Sequence, residues 1–329
     1  MKILQVVYGK EWNGAQKHVF DIVKSSNKNN ENSLVVFCES EILKSKLNLD
    51  YPSINILSGI NNEDIHSFSF IYKIIKKEKP DVIHIHSNNS LYFILITKLL
   101  RIKKIVQTIL EWPYNEQENW TRKISIIIQL WLTIIVADKT ILTNENDYNH
   151  ALYFPFIKNN IQLVQNGIET PIFMSVEGAK QLLAKKVGMD LSLFKRKKIF
   201  GTITSLDDNS GINYLIEASQ IVIDKYKDVI FIVFGEGKNK NYLLELINKS
   251  GLEKNFYLLG YIDHAKEYIK AFDCFVLPNI KHGLPYSILE AGYASLPIIS
   301  TTVGGIPDII EDMKSGILIQ PKKAKELAY

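Results

Sequence analysis

Cysteine is nearly absent from this sequence: among 329 residues there are only Cys38 and Cys274, far apart and each inside an apolar, strand-like run. Two such residues exclude a disulfide framework and a cysteine-based zinc site, and both are expected as core thiols. An excess of one charge is lacking as well. A formal net charge of +4 is slight for this length, and no stretch interleaves basic and aromatic residues, so nucleic acid is not expected as a partner. Long apolar runs are also missing. Five residues, Ile3 to Val7, precede polar Tyr8-Gly9-Lys10, too few for a signal-peptide core, so the chain is expected in the cytoplasm. The stretch 124–137, behind basic Arg122-Lys123, is interrupted by Ser125, Gln129 and Thr133. It falls short of the ~20 residues a spanning helix needs and reads as a buried or membrane-surface helix. Neither low-complexity tracts nor repeats of solenoid period occur.

What is present is apolar bulk and rhythm. Apolar residues make up 46% of the chain, and ~100–200 residues per domain predicts two domains. Short β-branched runs alternate with longer helical patterns, the form of stacked βαβ units and parallel sheets. Strands are expected at 3–8, 34–37, 54–57, 82–86, 104–108, 139–142 and 161–164, then at 199–203, 229–234, 256–259, 274–277, 298–300 and 317–319. Helices are expected at 15–24, 68–77, 91–100, 122–132 and 145–153, and again at 212–225, 242–249, 265–271, 286–293 and 306–311. Between the two sets, Pro171, scattered charge, one short helix near 180–186 and the basic tract 195–198 suggest a connector. The fold expected is α/β: two Rossmann-like parallel-sheet domains, 1–168 and 199–329, joined by a linker at 169–198 and facing a cleft.

The most informative stretch runs from Pro278 to Ala291. It leaves a strand, turns at Gly283 and enters a helix with Pro285 in its opening turn, where a missing N–H costs nothing. The N–H groups of Leu284, Tyr286 and Ser287 then lie at the positive end of a helix dipole, a seat suited to a diphosphate. Glu290, a turn further on, can accept from two neighbouring ribose hydroxyls. A second loop, Thr301 to Asp308, pairs Gly304 and Gly305 ahead of Pro307 and repeats the logic. Ordinary strand-to-helix turns use the same residues, so either loop alone is equally well a structural turn. His84 and His86 share one strand face and suit a core or a catalytic role, His86 being nearer the carboxyl end. Trp112, Tyr114 and Trp120 fit an acceptor groove or plain packing, and the tract 195–198 a solvated linker or contact with anionic lipid.

Taken in order, several motifs resemble family 4 retaining glycosyltransferases of the GT-B architecture. These are Asn13-Gly14-Ala15-Gln16, the run Asp81 to Ser87, Asn166-Gly167-Ile168-Glu169, Gly201, the Tyr214 to Ala218 helix, Phe234-Gly235-Glu236-Gly237, Leu259-Gly260-Tyr261, Gly283-Leu284-Pro285, Leu289-Glu290-Ala291 and Gly304-Gly305-Ile306-Pro307. The resemblance covers most of the chain. It implies Glu290 on the donor ribose, Gly283, Leu284, Pro285, Tyr286 and Ser287 on the diphosphate, and Gly14 in the loop approaching the donor phosphates. Gly235, Gly304 and Gly305 join this substrate-binding set. The reaction it implies needs no protein nucleophile, because the departing phosphate takes the acceptor proton. With no Asp-x-Asp run present, neither metal nor other cofactor is expected.

The sequence also departs from that family. The usual Glu eight positions before the ribose Glu is His282, expected with Glu290 and His86 in catalysis. The usual Arg and Lys near the diphosphate become Thr202 and Ser210, and Lys238, Lys281 or His282 is left to supply positive charge. The usual His-Gly of the first domain becomes Leu110-Glu111, with Glu111 a candidate for an acceptor hydroxyl. Family members also continue with several helices beyond the strand at 317–319, so the second domain is expected to be short at its end. The implied activity is transfer of a hexose from a nucleotide-diphosphate sugar to a glycan or polyprenyl-linked acceptor in capsule, O-antigen or exopolysaccharide synthesis, with peripheral contact at the inner face of the cell membrane. A catalytically weak or inactive GT-B protein that binds sugar or supports a partner is the alternative. A sugar-nucleotide epimerase lacks a supporting carboxylate pair, and a dinucleotide oxidoreductase the full glycine pattern.

Overall fold

Continuous β-branched runs suit strands buried on both faces, which is what a parallel sheet flanked by helices requires. The structure, a computed structural model, describes residues 1–9, 12–29, 33–51, 54–57, 68–87, 90–113 and 119–329. It divides into two compact units, Met1–Asn166 and Gly167–Tyr329.

Unit 1 alternates β1 (Lys2–Val7), α1 (Gly14–Asn29), β2 (Ser33–Cys38), α2 (Glu41–Asp50), β3 (Asn55–Leu57), α3 (Phe68–Glu78), β4 (Val82–His86), α4 (Leu91–Leu99), β5 (Lys104–Ile109), α5 (Trp120–Val136), β6 (Lys139–Leu142), α6 (Glu145–Leu152) and β7 (Ile161–Leu163). Its strands pair in parallel in the order β3-β2-β1-β4-β5-β6-β7, so the order reverses between β1 and β4. Successive side chains point to opposite faces. Leu4, Val6, Ile83, Ile85 and Ile105 thus form one core with Phe93, Ile94 and Ile96 of α4. On the other face Val7, Val36 and Cys38 meet Val19 and Val23 of α1. Leu130 and Ile134 of α5 bury against Ile109 and Leu142.

Unit 2 holds α7 (Val176–Lys186), α8 (Leu191–Arg196), β8 (Lys198–Ile203), α9 (Ile212–Lys225), β9 (Val229–Phe234), α10 (Lys240–Lys249), β10 (Phe256–Leu258), a 3-10 helix (Ala265–Ala271), β11 (Cys274–Leu277), α11 (Tyr286–Tyr293), β12 (Ile298–Thr301), β13 (Ile317–Ile319) and α12 (Ala324–Ala328). The order β10-β9-β8-β11-β12-β13 is again parallel and reverses between β8 and β11. Ile230, Ile232 and Phe275 of the sheet pack against Ile288 and Ala291 of α11.

Every strand expected from the sequence is present within a residue or two of its expected limits. The two cysteines are buried free thiols, and burial pushes Cys38 up to about 11 and Cys274 up to about 12. Among the described residues no helix is long and apolar enough to cross a membrane. Other expectations change. The segment read as a linker carries α7 and α8, and its Ala179, Leu183, Ala184 and Phe194 lie in the core of unit 2. Lysines of its basic tract pair with carboxylates, Lys197 with Asp228 at 3.0 Å and Lys198 with Asp273 at 3.2 Å. The helix expected at 306–311 is a run of turns. Ile310 N–H does reach Ile306 O at 3.0 Å, but Glu311 N–H donates to Ser315 Oγ at 2.9 Å, so the ladder stops after one bond. The second helix start therefore does not exist. Conversely, α2 forms where none was expected: Ser40 Oγ accepts from Leu43 N–H at 3.3 Å, and Leu43 and Leu47, four apart, are buried.

Candidate functional site

Open parallel sheets bind ligands beyond the carboxyl ends of their strands, where the strand order reverses. In unit 2 that edge is formed by the loops leaving β8 (204–211) and β11 (278–285), with the loop after β12 (302–307) beside them. Backbone contacts lock these loops together. Gly211, at φ +67°, precedes α9, and a Cβ there would collide with the carbonyl of Pro278. Ile280 N–H donates to Asn209 O at 2.8 Å. Gly304, at φ +55°, lays its bare α-carbon against the carbonyls of His282 and Gly283, and Gly305 N–H donates to Gly283 O at 2.9 Å. Thr301 Oγ1–H donates to Asn279 O at 2.6 Å.

This clasp fixes the opening of α11. The helix begins at Tyr286 behind Pro285, with no side chain capping it. Gly283, Leu284, Pro285 and Tyr286 are buried, Ser287 and His282 half-buried, and Glu290 is 7% exposed. Thr202 is fully buried and its Oγ1 lacks a hydrogen-bond partner among the described residues, as does Nδ2 of buried Asn279. Ser210 Oγ–H donates to Asp207 O at 2.8 Å, closing its own loop. Gly235, after β9, lies against the carbonyl of Thr204. Lys238 pairs with Asp208, which also accepts from Asn239 Nδ2 at 2.8 Å. The hydrogen bond from Lys238 holds the Asp208 carboxyl below its ordinary range. Half-buried Lys281 forms no ion pair among the described residues.

The corresponding edge of unit 1 is built differently. Gly14 opens α1, and a Cβ there would meet nothing within 4 Å. Buried Gln16 braces the loop before it, donating from Nε2 to Tyr8 O at 2.9 Å and to Gly9 O at 3.1 Å. His86 is 2% exposed, with its ring centroid 4.0 Å from that of His84 and 5.1 Å from that of His18 on α1. His86 Nε2 lies 2.7 Å from Gln5 Oε1, an atom that only accepts, so this nitrogen carries the proton. Nδ1 is buried with no partner among the described residues. His84 Nε2 sits 2.8 Å from Thr108 Oγ1. Burial first, then the neighbouring imidazoles, holds His86 well below the usual histidine range. The same causes lower His84 to about 3, and burial lowers His18 to about 4. All three rings are therefore neutral near pH ~7. Among the described residues, no three His, Cys, Asp or Glu side chains gather as ligands for a metal.

Glu111 is half-buried just after β5. Trp112 beside it stacks on Phe154, 6.0 Å between centroids, and belongs to a core cluster. Trp120 is exposed on α5, and Tyr114 lies outside the described residues. Of the candidates, Gly14, His86 and Glu111 belong to unit 1 and the rest to unit 2. Within unit 2, His282, Gly283, Gly304 and Gly305 meet directly, and Gly235 and Lys238 lie on the loop that follows β9. Sequence reasoning missed Asn279 and His18. Asn279 carried a signal, a polar side chain two residues after a strand; His18 carried none, because packing alone decides which way α1 faces.

Two family models match the chain: Glycosyltransferase Family 4 over residues 12–171 and Glycosyl transferases group 1 over residues 197–329. An uncharacterized glycosyltransferase from Methanocaldococcus jannaschii is 30% identical over 241 residues, 70% of this chain and 58% of that protein. The matched region thus spans less than two thirds of that relative. A UDP-Gal:α-D-GlcNAc-diphosphoundecaprenol α-1,3-galactosyltransferase from Escherichia coli is 28% identical over 268 residues, 78% of this chain and 67% of that protein. Among solved structures, HepE of Anabaena in complex with UDP-glucose superposes with a TM-score of 0.83 at 17% identity, covering 100% of this chain and 88% of that one, a likeness of fold alone.

Proposed function

We propose, from the premise that this chain belongs to the family 4 glycosyltransferases of GT-B fold, that it transfers a sugar from a nucleotide-diphosphate sugar to a glycan acceptor in cell-surface polysaccharide synthesis. The observation that carries this reading is the glycine clasp of Gly304 on His282 and Gly283, which presents the start of α11 at the switch point of unit 2. Helix-terminal amides and the dipole suit the diphosphate. Glu290 accepts from the ribose hydroxyls, and Lys281, with no carboxylate partner among the described residues, supplies positive charge in place of the Arg and Lys that became Thr202 and Ser210. Lys238 is already committed to Asp208. His282 bonds the donor sugar. His86, walled by two other imidazoles, holds the β1–β4 edge and stays out of contact with substrate.

Transfer proceeds with retention and without a resident metal. The acceptor oxygen bonds to the anomeric carbon as the bond from that carbon to the β-phosphate oxygen breaks on the same face. The acceptor proton passes to the departing phosphate oxygen, and the products are the glycoside and the nucleoside diphosphate. Catalysis then rests on positioning and on stabilising the leaving diphosphate. The Escherichia coli relative acts, by its name, on GlcNAc joined to diphosphoundecaprenol, which supports a polyprenyl-linked acceptor here too.

Calorimetric titration with UDP- and GDP-sugars tests the donor site. Glu290→Ala is expected to weaken binding about 10- to 100-fold, the cost of hydrogen bonds to a charged group. Equal affinity in the two proteins would remove the ribose assignment, and an inverted anomer in the product, read by NMR, would remove retention.

A further inference from the structure

A polar atom sealed inside a protein without a partner gives up the hydrogen bonds it made to water, so such atoms are few and each calls for an explanation. Two of them lie at the strands between which the order of the unit 2 sheet reverses: Oγ1 of Thr202 in β8, and Nδ2 of Asn279, two residues beyond β11. Asn279 is 1% exposed. Its backbone is committed on every side. The carbonyl accepts from Thr301 Oγ1–H at 2.6 Å, the N–H of the next residue, Ile280, donates to Asn209 O at 2.8 Å, and Gly211 closes on the carbonyl of Pro278. The side chain is not. Oδ1 stands 3.5 Å from Thr204 Oγ1, beyond the usual O–H···O range of about 2.5–3.0 Å, and Nδ2 donates to nothing among the described residues. A fixed backbone thus carries a loosely tethered carboxamide in the loop that leads into α11.

Packing does not account for this asparagine, since a leucine fills a similar volume with no donor to bury. The surroundings identify what the amide meets. Nδ2 only donates. Lys281, two residues on and half-buried, carries a cation, and the same loop ends at the positive pole of α11. Carboxylates of the neighbouring β8 loop are turned to other partners: Asp207 accepts from Ser205 Oγ–H at 2.7 Å and from Asn209 N–H at 2.8 Å, and Asp208 pairs with Lys238. Donors gathered in the one loop 278–285 call for a ligand rich in negatively charged oxygens.

We propose that Asn279 is a diphosphate-binding residue, its side-chain amide donating to a phosphate oxygen of the nucleotide sugar. The proposal rests on the donor site assigned above to unit 2. Because Nδ2 is covered, seating the diphosphate requires the carboxamide to rotate, exchanging the long contact with Thr204 for a bond to phosphate. Thermal melting and calorimetric titration of Asn279→Leu with UDP and GDP test it. The variant is expected to melt within about 2 °C of wild type or above it, because no satisfied donor is lost. Its affinity for the nucleotide diphosphate is expected to fall about tenfold or more, as loss of a hydrogen bond to a charged group does. Asn279→Asp, of the same shape, sets a carboxylate against the diphosphate and is expected to lose about 100-fold or more. In nitrogen-15 correlation spectra of wild type, the Asn279 amide protons, assigned by their loss in either variant, are expected to move downfield when the nucleotide is added. Unchanged affinity in Asn279→Leu would overturn the proposal. So would a fall in affinity that comes with a lower melting point and unmoved amide signals, which would leave the amide to an internal water or to loop packing. If wild type binds neither nucleotide, the donor reading of unit 2 goes and this assignment with it, whereas equal affinity in wild type and Asn279→Leu removes this assignment alone.

Discussion

The two units share one plan, a parallel sheet whose strand order reverses after its first pair of crossovers, yet their reversal edges are made of opposite materials. In unit 2 the edge is backbone: Gly211, Gly304 and Gly305 bring loops into contact and hold the opening of α11. In unit 1 it is side chain: His18, His84 and His86 pack ring on ring, with His86 bonded to Gln5 and His84 to Thr108. Topology sets where a site lies, and what the edge is made of sets what it can bind. A helix opening held in place by backbone favours an anion; an edge of neutral, mutually buried imidazoles does not.

Matched glycine substitutions offer the most forceful way to break this comparison. Gly304→Ala drives a Cβ into two carbonyls at a left-handed position, so unit 2 should lose about 1–3 kcal/mol of stability. Donor affinity should fall with it, about 100-fold or more, once the clasp on His282 and Gly283 opens. Gly14→Ala enters open space at the start of a helix and should be neutral or stabilising by up to about 1 kcal/mol. Thermal melts and donor titrations of both variants decide it, and similar losses in the two would erase the distinction.

Acid should discriminate next. The three imidazoles bind protons more weakly in the folded unit than their ordinary value of 6.5, with His18 near 4 and His84 near 3. Between those values and 6.5 the unfolded chain holds more protons, so the stability they confer is complete above about 6.5 and drains away as pH falls toward 4 and 3. Each group contributes at ~1.4 kcal/mol per pH unit across its own interval. Hydrogen exchange followed separately in the two units should show unit 1 loosening first, and His84→Gln should flatten its pH dependence. Parallel loosening of both units, with no change in the variant, would contradict the histidine assignment.

The smallest contrast lies within unit 2. Lys281→Ala should slow turnover about tenfold or more, as removal of a charge beside a developing anion does. Lys238→Ala, at an exposed pair, should stay within about twofold. Equal rates for the two variants would show that neither lysine is the missing cation.

The strands were legible because a strand buried on both faces must be apolar along its length, and Ile230 to Phe234 could hardly be anything else. Helix α2 could have been read from Ser40, Leu43 and Leu47. The segment holding α7 and α8 was harder, since its charges hide an inward row of Ala179, Leu183 and Phe194 that acquires meaning only against the sheet. At the site, Gly283, Pro285 and Glu290 carry their signal locally. Nothing near Gly304 in sequence says that it rests on His282, nor does Asp208 advertise that it takes up Lys238.

The sequence by itself determined the order of the strands, the two buried thiols and the glycine turn ahead of α11. Those follow from side-chain periodicity and local sterics, which act over a few residues. Tertiary structure alone decided which loops clasp, which lysine keeps its charge uncommitted and which apolar faces of α4 and α5 stay outside the core. It also decided that three histidines from α1 and β4 become one neutral cluster. Desolvation and contact depend on neighbours brought together by the fold, as His86 and Gln5 are from 81 residues apart.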